Sequence, residues 1–223
     1  MKRFSKRLWL RQLACSFVFS RLFCFSLFIF MLSACVTVQK HQLPPDSEIS
    51  KQAAWEAHRA NIENIRTWKL KGRVAGKSDN EGFRAGVQWN QLQHDFVIDL
   101  FGPLGRKVAV ITGNQSNVQL NTSKGESFDA DDPEELMQNL FGYSLPVNGL
   151  RHWLLGIPDP KQASSLELDD LGHLKKLNQA GWVIEYKRYH ADSPVLPLLI
   201  QISNPTLDAN IKIDRWTLDA QTN

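Results

Sequence analysis

The sequence predicts a mainly β fold with α, in which antiparallel hairpins follow one another and three helices interrupt them. Three observations lead there. Beyond residue 66 the apolar residues recur with a period of two, as half-buried strands require. Turn residues separate these stretches at short intervals, so no connection within the meander is long enough for a parallel crossover. Only three stretches carry the three- and four-residue spacing of a helix.

Asp46 or Ser47 caps the first helix, which runs to about Asn64. Its Trp55, His58/Arg59, Ile62 and Ile65 form a narrow apolar stripe, which places the helix across a sheet and outside the core. The period then changes to two. Trp68, Leu70, Gly72 and Val74 alternate with Thr67, Lys69, Lys71 and Arg73, and Phe83, Ala85, Val87 and Trp89 alternate with polar neighbours after a turn at 78–82. A third strand at 94–101 has Phe96, Ile98 and Leu100 on one face; a fourth, at 107–112, is apolar on both faces. Shorter strands follow at 117–121 and 126–129.

Asp131-Asp132-Pro133-Glu134-Glu135 starts a helix, with a cap, an early proline and acids in the first turn. Leu136, Leu140 and Phe141 form its apolar face and Gly142 stops it. A short helix at 147–155 carries Leu150, Trp153 and Leu154. Strands resume at 174–178, 182–189, 196–203 and 210–218, giving about ten in all. One face of the sheet is consistently large and apolar.

Catalytic patterns are sought without result. The six histidines lie far apart, with no spacing suited to a metal, so neither metal nor cofactor is expected. Gly142-Tyr143-Ser144-Leu145-Pro146 misses a nucleophile elbow by its last residue and follows a helix. Gly72–Ser78 comes near a phosphate loop but is one residue short between its glycines and lies along a strand. A non-enzyme is expected.

The amino terminus sets the compartment. Six basic residues and no acidic one precede an apolar run from Leu22 to Ala34, 13 residues long. A run of ~7–15 residues suits a signal peptide and falls short of the ~20 that span a bilayer. It ends in Leu32-Ser33-Ala34-Cys35, which resembles the lipobox of bacterial lipoproteins. That resemblance implies removal of residues 1–34, lipidation of Cys35, a tether over 35–45 ending in Pro44-Pro45, and a domain over 46–223. The remaining 189 residues are enough for one domain. The whole chain has 26 Lys+Arg against 23 Asp+Glu; without the six leading cations the balance is 20 against 23, so the basic pI of the precursor says nothing about nucleic acid. With Cys15 and Cys24 removed and Cys35 lipidated, no thiol is left for a disulfide.

Phe101-Gly102-Pro103-Leu104-Gly105 has ordinary turn chemistry but puts Leu104 at the apex with Phe101 beside it. An apolar residue held out by a tight turn suggests contact with lipid or with a partner.

Further pieces complete a pattern: Ile65-Arg66-Thr67-Trp68, Lys71-Gly72-Arg73-Val74-Ala75, Trp89, Asp132-Pro133-Glu134-Glu135-Leu136, Leu145-Pro146-Val147, the stretch from Leu150 through Trp153 to Gly156, and Ile211-Lys212-Ile213-Asp214-Arg215-Trp216. With the lipobox and the Phe101–Gly105 turn, in this order and spacing, they resemble the LolB family of outer-membrane lipoprotein receptors. The resemblance covers about Ala54 to Leu218. It implies a half-open antiparallel β-barrel of the LolA/LolB kind, with helices covering its opening and a hydrophobic interior cavity. It implies a lipid-anchored outer-membrane protein that faces the periplasm, accepts lipoproteins from the carrier LolA and inserts them into outer-membrane lipid, acting as a monomer without nucleic acid. Leu104 takes the place of the leucine at the tip of the family's membrane-inserting loop, with Phe101 and Pro103 beside it. The acyl-chain cavity is expected to be lined by Trp68, Leu70, Val74, Phe83, Val87, Trp89, Phe96, Ile98 and Leu100 from the strands. Leu136, Leu140, Leu150 and Trp153 are expected from the helices. The residues alone leave two other readings open: an anchored binder of another lipid or glycolipid, or an assembly factor with a filled interior.

Overall fold

The structure is a computed structural model, and it describes residues 46–78, 81–114, 116–141 and 146–218, without the side chains of Asp46, Leu140 and Phe141. The expected signal peptide, Cys35, the tether, Gly142 and the centre of the 78–82 turn lie outside the described residues.

The chain enters through α1 (Asp46–Glu63) and passes into eleven antiparallel strands. These are β1 (Thr67–Ser78), β2 (Glu81–Leu92), β3 (Asp95–Phe101), β4 (Lys107–Gly113), β5 (Val118–Thr122) and β6 (Ser127–Ala130), then β7 (Ser164–Leu168), β8 (Leu174–Gln179), β9 (Trp182–Tyr189), β10 (Pro197–Ser203) and β11 (Leu207–Leu218). Two helices, α2 (Pro133–Phe141) and α3 (Val147–Leu155), separate the two runs of strands. All eleven form one sheet in the order β6-β5-β4-β3-β2-β1-β11-β10-β9-β8-β7. Each run is a meander of neighbours, and the long β1 and β11 join the two halves from Trp68↔Leu218 to Ser78↔Leu207. The sheet does not close. Its outer strands, β6 and β7, lie next to α2 and α1 respectively.

Local sequence accounts for the interruptions. The Asp132 carboxylate accepts a bond from the Glu134 amide at 2.9 Å, capping α2 immediately before Pro133. Gly156 closes α3 in a left-handed conformation, with the Ile157 amide donating to the His152 carbonyl.

Two expectations change. The strand β7 is absent from the sequence reading: Ser164 and Ser165 open it, only Leu166 and Leu168 alternate, and four of its five residues are exposed, so its period-two signal is too short to mark a strand. And α1 is not external to the core, because Trp55 and Ile62 are fully buried in it. Gly172 in the β7–β8 turn allows this approach: a Cβ there would stand 2.6 Å from the Cβ of Ala54 and 2.8 Å from the Lys51 carbonyl.

Candidate functional site: an apolar hollow and a leucine-tipped hairpin

Strand register puts residues 68, 70, 72, 74 and 76 of β1 on one face, opposite residues 91, 89, 87, 85 and 83 of β2. That concave face behaves differently at its two ends. At one end Trp68 lies 5.6 Å from Trp89 and 5.4 Å from Trp216, and Trp89 lies 6.1 Å from Phe96, ring centre to ring centre. Gln91, buried beside them, accepts a bond from the Trp89 indole and donates to the Gln93 and Asp95 carbonyls, which satisfies the polar atoms this plug removes from water. Here the interior is filled.

Toward the β1–β2 turn the inward residues shrink to Gly76, Ala85 and Ala209, and the filling stops. A Cβ on Gly76 would meet the Asp208 carbonyl at 2.6 Å, the Phe83 ring at 2.7 Å and Ala209 at 2.8 Å, so the backbones of β1 and β11 come together here only because the side chain is missing. The result is a cavity of about 830 Å³. Strands β1–β4 contribute Leu70, Val74, Phe83, Val87, Trp89, Ile98, Leu100 and Ile111, and the adjoining β11 and β10 continue the lining with Leu207, Ala209, Ile211 and Ile202. Met137 of α2 and Leu150 and Leu154 of α3 roof it, and Ser78, Glu81 and Arg84 reach its lining at the turn. An apolar pocket of this size accommodates a large organic ligand.

The structure redistributes the residues expected on the wall. Leu70, Val74, Phe83, Val87, Trp89, Ile98, Leu100 and Leu150 line the hollow. Trp68, Phe96, Leu136 and Trp153 do not: all are buried among other side chains, and the Trp153 indole donates to Gln179 at 2.8 Å. The side chain of Leu140 is not among those described. Sequence reasoning missed Ile111, Met137, Val147, Leu154 and the residues of β10 and β11. The shared run of small residues on three adjacent strands was the available signal.

The second feature is the β3–β4 hairpin. The Gly102 amide donates to the Arg106 carbonyl at 2.9 Å, and Pro103–Gly105 makes a single tight turn between them. Leu104 stands at its apex, 99% exposed, with φ 63°. A leucine in the left-handed region costs on the order of 1 kcal/mol relative to a right-handed conformation, and it gains no packing in return. Phe101 is half-buried at the hairpin's base, with the Lys107 ammonium 6.0 Å from its ring centre and 2.7 Å from Asp99.

An open antiparallel sheet curled around an apolar hollow and roofed by helices defines the class: a half-open barrel with a hydrophobic cavity. The family model for the outer membrane lipoprotein LolB matches residues 66–216. The outer-membrane lipoprotein LolB of Nitrosococcus oceani is 33% identical over 192 residues, which cover 85% of this chain and 94% of that one. The LolB proteins of Stutzerimonas stutzeri and Pseudomonas aeruginosa are 31% and 30% identical, over 83% and 88% of this chain and 90% and 95% of their own. This chain belongs to the LolB family. Among solved structures, a DUF1329 family protein from Desulfovibrio piger shares the fold with a TM-score of 0.51 at 7% identity, over 78% of this chain and 95% of that one. A LolA superfamily protein from Nitrosomonas europaea gives a TM-score of 0.47 at 6% identity, over 76% and 94%.

Proposed function

We propose that this chain is an outer-membrane receptor that accepts lipoproteins from the periplasmic carrier LolA and inserts them into the membrane, with their acyl chains held in the hollow between β1–β4 and β10–β11. The observation that carries the reading is the hollow itself: one end of the concave face is plugged by tryptophans while the other is kept open by small residues. Exposed to water, an acyl chain loses about 0.8 kcal/mol per CH₂, hence roughly 10 kcal/mol for a whole chain, so it must pass from one apolar site to another without crossing solvent.

In this reading Cys35 carries the lipid anchor, residues 35–45 give the domain reach, and the domain faces the periplasm as a monomer. Leu104 enters the bilayer and, with Pro103 and Phe101 behind it, opens a path for the cargo. Transfer runs downhill because the hollow binds the chains more tightly than the carrier does. Mixing loaded carrier with this protein, without any energy source, and separating the two tests this. Net movement of lipoprotein to this protein is expected; retention on the carrier overturns the receptor reading.

A further inference from the structure

The convex side of the sheet carries a charge pattern that folding does not explain. Outward positions of β1 hold Lys69, Lys71, Arg73 and Lys77, all exposed. The strands on either side add Arg84 from β2 and Lys212 and Arg215 from β11. Against these seven cations the same three strands present two outward carboxylates, Asp208 and Asp214. The pattern runs against the composition, since residues 35–223 have fewer Lys+Arg than Asp+Glu. At two positions it also runs against pairing preference, whereas Lys77 stands opposite Asp208. Arg73 is the register partner of Lys212, and Lys71 of Arg215, and like charges directly opposite weaken a sheet. The irregularity after Lys71 adds Asp214 to β11, and its carboxylate takes both bonds of the Arg73 guanidinium, at 2.9 and 3.1 Å; the other cations face outward around it.

Position decides what such a face meets. Lys107, Phe101, Gly86, Arg73 and Lys212 are successive register partners across β4, β3, β2, β1 and β11. With neighbouring strands about 4.8 Å apart, Phe101 is only some 14 Å from Lys212 along this row. The cationic face is therefore continuous with the base of the hairpin whose tip is Leu104.

We propose that the convex face of β2, β1 and β11 docks on a bilayer carrying anionic phospholipid headgroups, with Leu104 as its leading edge. The proposal rests on the reading of Leu104 as a membrane-entering tip and adds a second, electrostatic contact that sets the orientation of the domain. Each basic residue near an anionic surface strengthens association about five-fold, and the effect fades within a Debye length of about 8 Å at physiological salt.

The test uses the full, membrane-purified protein reconstituted in vesicles of phosphatidylethanolamine, with or without phosphatidylglycerol. Single fluorophores are attached through Ala75→Cys on the cationic face, Leu104→Cys at the tip and Leu171→Cys on the distant β7–β8 turn, and headgroup-nitroxide lipids quench them. Quenching at position 75 is expected only with phosphatidylglycerol, to be lost at about 1 M salt, where the Debye length is ~3 Å. The docking constant should fall roughly a hundred-fold when Lys69, Lys71 and Lys212 are changed together to glutamine. Quenching at 104 and not at 75 overturns the docking face and leaves the tip reading intact; no quenching at either overturns both. A signal at 75 that answers to the carrier protein and ignores phosphatidylglycerol also overturns the proposal. Unchanged thermal unfolding of the triple variant shows that any loss is not one of folding.

Discussion

Replacing Leu104 separates stability from delivery, because the residue touches almost nothing in its own domain. It is 99% exposed, so truncation removes no core contact. Its φ of 63° suits glycine better than leucine, and the relief of about 1 kcal/mol in Leu104→Gly is roughly offset by the freer unfolded chain that glycine brings. Unfolding free energies of the two proteins, from denaturant titration, should therefore coincide within about 0.5 kcal/mol. Delivery should not coincide. Burying one leucine side chain in an apolar phase is worth ~1.5–3 kcal/mol, which corresponds to roughly a ten- to hundred-fold change. Release of lipoprotein from the purified protein into liposomes should slow by that factor in Leu104→Gly, and by more in Leu104→Glu, where a charge must leave water. Uptake from the carrier should be unchanged in both, since Leu104 is not part of the cavity wall. Normal release, or lost uptake with normal release, would refute the role of the tip.

Filling the hollow should have the opposite signature. Ala85→Phe places a ring in space that is already open, so thermal stability should hold or rise while binding of an acyl-chain probe falls at least ten-fold. Gly76→Val, by contrast, drives a side chain into the Asp208 carbonyl and Ala209, and should cost ~1–3 kcal/mol by urea denaturation. His58 predicts an acid sensitivity: burial, with His173 adding, pushes its pKa down to about 4, and its Nε2 finds no hydrogen-bond partner among the described residues. An unfolded histidine titrates near ~6.5, so between these values the unfolded chain takes up a proton that the folded chain refuses. Stability present at neutral pH is then lost as pH falls from about 6.5 toward 4, by ~1–2 kcal/mol at this half-buried site, and His58→Leu should remove that part of the pH dependence in calorimetry.

Much of the architecture is legible in the sequence because a strand with one face in water writes its register as alternation. The positions of β1, β2 and β3 follow directly from Trp68, Phe83 and Phe96 and the residues spaced by two from each. What alternation does not encode is what an inward side chain meets. Trp68 and Leu70 are indistinguishable by period, yet one packs against two other tryptophans and the other borders open space. The difference depends in part on β11, more than 130 residues away in the chain, where Trp216 packs on Trp68 at one end while Ala209 and Ile211 border the hollow at the other. The edge strand β7 escaped for the reverse reason: four of its five residues are exposed, and Leu166 and Leu168 alone give an apolar side too short to read. The cationic face escaped because register, and not sequence proximity, assembles it from three strands.

The claim that everything else depends on is that cargo acyl chains occupy the hollow, and mapping their contacts tests it most directly. A lipoprotein whose acyl chains carry a photoactivatable group, transferred from the carrier and then irradiated, should label Val74, Phe83, Leu100 and Ile211 when the adducts are read by peptide mass spectrometry. Ala85→Phe should abolish that labelling. Adducts confined to exposed apolar residues outside the hollow, such as Val97 and Phe128, would contradict the account.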